Sequence, residues 1–242
     1  HCEVVDCEIA HCSNSVDNSY NAYLSGCSHS AFRNCLMHDS FYWGDHGSNS
    51  HTVSALNCGD QGPNFVDRCE IFNGGLGVGS KGAVRELVVT SCAIYDQVNG
   101  VVVSGERSSG PGAGKVDRGH YLVWRNHISN CRKGVWISSG KTHADRIWGN
   151  LIERCGAGFS MRNVGAVPDS PHVANNLFRS NEVAAYMVAG RDGSEKISTF
   201  VHGGFVSHNN LYWANKVDWQ SPLTWGRNLE ASLAEIQAFK GF

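Results

Sequence analysis

The chain has 242 residues, of which 17% are charged and 28 are glycine, and its formal net charge is −2. That balance excludes a basic, nucleic-acid-binding surface spread over the whole molecule, and no run of about 18 apolar residues marks a membrane span. Sparse charge and abundant glycine suit short strands joined by tight turns better than helices.

From the N-terminus one frame recurs: an apolar residue, then Cys or Asn three positions on, then a second apolar residue two positions further. The polar member is Cys7, Cys35, Cys69, Cys92, Asn126, Asn150, Asn176 and Asn210. Val4, Phe32, Val66, Val89, Val123, Ile147, Val173 and Ser207 precede it, and Ile9, Met37, Ile71, Ile94, Ile128, Ile152, Phe178 and Tyr212 follow it. Only Ser207 breaks the pattern. Five residues after the first polar position comes a second, filled by Cys12, Ser40, Gln97, Cys131, Cys155, Asn181 and Asn215, with Gly74 the exception. Gly77, Gly100, Gly134 and Gly158 then open alternating runs such as Val135-Trp136-Ile137. Units of 23 to 34 residues made of short β-type segments bury their apolar edges only by stacking on one another, which predicts a solenoid of about eight coils with three strands each.

His1-Cys2-Glu3-Val4 enters the first unit with no Met, signal peptide or cap, so the chain reads as one domain over 1–242, truncated at its N-terminus. At the other end Leu229, Leu233, Ile236 and Phe239 have helical spacing and predict a short helix over 228–239 on the last coil. Seven of the ten cysteines are ladder members, whose parallel side chains disfavour bridges and suit buried free thiols. Cys27 and Cys58 are the best placed for a disulfide. There is no C-x2-C pair, and neither a metal site nor a cofactor is expected.

The run Ile147-Trp148-Gly149-Asn150-Leu151-Ile152, followed by Gly158-Phe159-Ser160-Met161, resembles the repeat of the pectate-lyase-like superfamily, and the likeness covers residues 1 to 215. The resemblance implies an all-β fold, a right-handed parallel β-helix, in a secreted or cell-surface setting. It also implies that the sheet of Gly-initiated strands lines a groove for a polysaccharide. The outward face of that sheet reads Val102, Trp136, Ser160 and Tyr186, so Trp136 and Tyr186 are candidate platforms for sugar, with Ser160 and Arg191 as further substrate-binding residues. Trp124 and Trp148 occupy matching places on another face and are expected to stack beneath the 105–118 loop.

Three coils carry about ten extra residues, the usual place for functional groups on a rigid scaffold. Basic residues outnumber acidic ones around the proposed groove, which favours an acidic, uronate-containing polysaccharide. For eliminative cleavage, Lys141, His143 and Arg162 are the candidates for proton abstraction and carboxylate neutralisation. Hydrolysis instead needs two carboxylates roughly 5 to 9 Å apart, which points to Asp39, Asp45 and Asp60 with His46 nearby. The paired Asp-Asp and Arg-x-Lys of the polygalacturonase-like hydrolases are missing. So are the pectate-lyase signature and an Asp cluster suited to calcium. A polysaccharide lyase, a glycoside hydrolase and a non-catalytic carbohydrate-binding or surface solenoid therefore all stand as readings.

Overall fold

The computed structural model describes residues 1–11, 20–24, 27–40, 51–55, 63–80, 86–103, 120–137, 145–162, 172–188 and 206–220. Strands pair in parallel with their equivalents in the neighbouring coil. Eight of them, from Glu3–Val5 to Val206–His208, form one sheet in chain order. The other two runs of each coil merge into a 14-stranded sheet, because Glu70–Ser80 and Ala93–Val103 pass through the second turn unbroken. This is a right-handed parallel β-helix, the hand that parallel crossovers take. No helix among the described residues is long and apolar enough to cross a membrane.

The register is the one set by the polar frame. Val66 pairs with Val89, Val89 with Val123 and Val123 with Ile147 along the first sheet. Met37, Ile71, Ile94, Ile128, Ile152 and Phe178 follow one another along the second run, each with no exposed surface. These aliphatic ladders fill the bore of the helix.

Each polar rung is preceded by a residue in the left-handed region. At the first turn these are Asp6, Asn34, Arg68, Ser91, Arg125, Gly149, Asn175 and Asn209, with φ between 52° and 60°. At the second they are His11, Asp39, Asn73, Asp96, Asn130, Arg154, Ser180 and Ala214, between 51° and 62°. Such a residue costs about 1–2 kcal/mol when it is not glycine, and stacking of identical turns holds it in place.

Asn126, Asn150 and Asn176 are fully bonded. The Asn150 Oδ1 accepts the Asn126 backbone N–H at 3.0 Å, while its Nδ2 donates to the Val123 carbonyl at 2.9 Å and to the Asn176 Oδ1 at 2.9 Å. Asn126 and Asn176 repeat the scheme. In the N-terminal coils the thiols of Cys35, Cys69 and Cys92 point the same way, each 3.5–3.6 Å from the carbonyl of the preceding coil's inward residue. The Gly-initiated strands need glycine for space. A Cβ on Gly134 would lie 2.5 Å from the Gly158 carbonyl oxygen and 2.7 Å from an Ile152 methyl.

Every described cysteine is a free thiol. Cys27, one of the two residues best placed for a disulfide, is among them. Cys12, Cys58 and the helix expected over 228–239 lie outside the described residues.

Candidate functional site

The left-handed turn is what exposes chemistry. Because His11 and Asp39 each stand one residue before the second ladder, they occupy the same place on consecutive coils and project outward. The strand Leu36–Ser40 adds His38, whose carbonyl accepts the His11 backbone N–H at 3.3 Å. One ligand atom from each of His11, His38 and Asp39 falls within 4.8 Å of the others.

The group is tightly wired. Asp39 Oδ2 lies 2.8 Å from His38 Nδ1 and 3.6 Å from His11 Nδ1, and the other ring nitrogen of His38 is 3.1 Å from Glu8 Oε1. Asn73, the next residue in the same turn ladder, donates to Asp39 Oδ1 at 2.5 Å. The His38 ring stacks on Phe72 at 4.8 Å and 7°, and Phe72 on Tyr95 at 5.0 Å and 2°. The hydrogen bond to Asp39 raises the pKa of His38; burial opposes the shift and Glu8 adds to it. Asp39 is correspondingly held below the usual carboxylate range by His38, against its own desolvation and with help from Asn73. Asp39 is therefore an anionic acceptor and unsuited to act as a general acid near neutral pH. His11 is 76% exposed and His38 only 12%, so one imidazole is rigid and the other open to solvent.

Of the other expected carboxylates and bases, Asp45, His46, Asp60, Lys141, His143 and Arg191 lie outside the described residues. The backbone register does bring Trp136, Ser160 and Tyr186 onto consecutive rungs of one row, with Arg162 two positions beyond Ser160 in its strand. Trp136 is half-buried with the Lys133 ammonium 3.9 Å from its ring centroid. Its neighbours in that row, Val102 and Ser160, are 6% and 1% exposed, so this stretch of the face is covered.

Two features were not singled out by the sequence patterns. Glu153, on the outward side of Leu151–Glu153, is a buried carboxylate held by His127 at 3.0 Å, Arg154 at 3.0 Å and Arg179 at 2.6 Å. Burial pushes its pKa up, but the hydrogen bonds from His127 and Arg179 and the charge of Arg154 outweigh it and leave the group lowered. Gln97 has both side-chain amide atoms buried without a partner, where the rung on one side, Gly74, offers no side chain to bond.

Over residues 1–217 the sequence matches the family described as "Periplasmic copper-binding protein (NosD)", and the chain belongs to that family. No curated protein and no solved structure matches it.

Proposed function

We propose that this member of the NosD family is a copper-binding solenoid on the outer side of the cytoplasmic membrane, with His11, His38 and Asp39 as its metal ligands. The observation that carries the reading is the convergence of two imidazoles and a carboxylate within 4.8 Å on adjacent turns. The donors fit the ion. Imidazole nitrogen with one carboxylate suits Cu(II), whereas calcium or magnesium would call for an all-oxygen set. The surroundings also fit, since Asn73 fixes the carboxylate and Phe72 fixes the His38 ring plane, as outer-shell partners of metal ligands do. Glu8, against the second nitrogen of His38, supplies additional negative charge. An exposed His11 beside a fixed His38 permits exchange of the ion with solvent or another protein, which favours carriage of copper over its permanent enclosure.

A second reading, an acidic polysaccharide along the Gly-initiated face, is favoured by the ammonium over the Trp136 ring. The covered flanking rungs leave it less surface to work with.

The test is calorimetric and paramagnetic-resonance titration of the chain with Cu(II) alone, in a Cys2→Ser/Cys7→Ser background, because those two exposed thiols would otherwise compete for copper. One ion per chain with nitrogen and oxygen ligation is expected, and His38→Ala should weaken it at least about 10–100-fold. Equal affinity in the His11→Ala/His38→Ala double variant would overturn the assignment.

A further inference from the structure

The first sheet carries a second candidate surface, remote in the repeat from the imidazole cluster and built from aromatic and guanidinium groups. Trp124 and Trp148 are register partners in the adjacent strands His120–Trp124 and Arg146–Trp148. Trp124 is 37% exposed and Trp148 half-buried. The left-handed turn beside them determines what happens next. In the Trp124 coil the turn residue is Arg125, whose guanidinium folds back to 4.3 Å from the Trp124 ring centroid. In the next coil the turn residue is Gly149, and the Trp124 indole lies over it, 3.6 Å from where a Cβ would stand. Arg146, two residues before Trp148, places its guanidinium 5.1 Å from that ring. His172 is the register partner of Arg146 one coil further on.

Neither Arg125 nor Arg146 has a carboxylate partner among the described residues, in contrast with Arg33, Arg68, Arg154 and Arg179, all of which are ion-paired. Among the described residues the contacts of the two forks are cation–π contacts, which leave their donor edges to an incoming anion. Arg146 is the register partner of Leu122, three residues before Arg125, so the two forks stand on adjacent coils and about 10 Å apart along the strand direction.

We propose that this Trp124–Trp148 strip binds an acidic polysaccharide, with Arg125 and Arg146 each gripping a carboxylate of the chain and the indoles supporting the sugar faces. A bidentate guanidinium–carboxylate pair is the geometry these forks favour. Acidic sugar is favoured over nucleic acid because the cationic stretch is short.

The experiment is affinity electrophoresis and calorimetry of the full chain with polygalacturonate oligomers, alongside dextran and single-stranded DNA at matched ionic strength. Polygalacturonate should bind and dextran should not. Arg125→Ala and Arg146→Ala should each weaken binding by about ten-fold, with Arg125→Lys recovering only part of it. His38→Ala should leave it unchanged, which separates this surface from the copper reading. Unchanged binding in the Arg125→Ala/Arg146→Ala double variant, with its far-ultraviolet dichroism intact, would overturn the proposal. So would no binding to polygalacturonate, or equal affinity for the DNA.

Discussion

The two halves of the solenoid solve the same turn with different chemistry. From Asn126 to Asn210 each amide side chain takes the backbone N–H of one coil and donates to the carbonyl of that coil and to the next amide, so coils are joined by a continuous chain of buried hydrogen bonds. From Cys7 to Cys92 the same place holds a thiol, a weak donor and weaker acceptor that behaves as a small apolar plug. The outward row one residue past the following apolar rung changes too, from the stacked rings of His38, Phe72 and Tyr95 to the ionic group around Glu153. The C-terminal half is locked by polar networks, and the N-terminal half, which carries the imidazole cluster, by packing. On the copper reading proposed above, a site that admits and releases an ion gains from the looser lock.

Substitutions within the ladders sharpen this contrast. Asn150→Ala leaves the Asn126 N–H and the Val123 carbonyl buried without partners, and should cost on the order of 3–5 kcal/mol in denaturant unfolding at about 1–3 kcal/mol per orphaned group. Glu153→Gln removes the charge that His127, Arg154 and Arg179 share, and should cost roughly 2 kcal/mol, because those partners stay partly solvated. The same group sets a pH dependence. Its folded pKa lies below the unfolded carboxyl value of about 4.3, so its contribution is full above that value and is lost as pH falls through the folded one. Hydrogen exchange on acidification should therefore rise around Leu151–Glu153 and its neighbours, and the rise should be absent in Glu153→Gln; an equal rise in that variant would break the assignment.

Cys69→Ala, the thiol counterpart of Asn150→Ala, should cost only about 1 kcal/mol. A loss equal to that of Asn150→Ala would show that the two ladders are equivalent after all. The smallest expected effect has the opposite sign. Ala214 is exposed with φ 51°, and Ala214→Gly should stabilise the last described turn by about 1 kcal/mol in thermal melts.

The fold was legible because a solenoid repeats its constraint. Asn150 recurs in frame with Asn126 and Asn176, and a register inferred from one spacing is checked by the next. The glycine of each third strand was legible for a similar reason, although the cause, a Cβ at 2.5 Å from a neighbouring carbonyl, appears only in three dimensions. The cluster of His11, His38 and Asp39 was not read from the sequence. His11 and His38 are far apart along the chain, and the absence of a C-x2-C pair argued against a metal. The signal was nonetheless present, since His11 precedes Cys12 as Asp39 precedes Ser40, which places both on one turn ladder. Trp124 and Trp148 were recognised as a pair, but nothing in their spacing says that Arg125 folds back over one ring and Gly149 lies under it.

The most direct test of the copper assignment is hydrogen-exchange mass spectrometry of the Cys2→Ser/Cys7→Ser chain with and without one equivalent of Cu(II). Protection should rise in the peptides holding Glu8–His11 and Leu36–Ser40 and stay unchanged from Asn126 onward. No change in those two peptides, or protection centred elsewhere, would contradict the account.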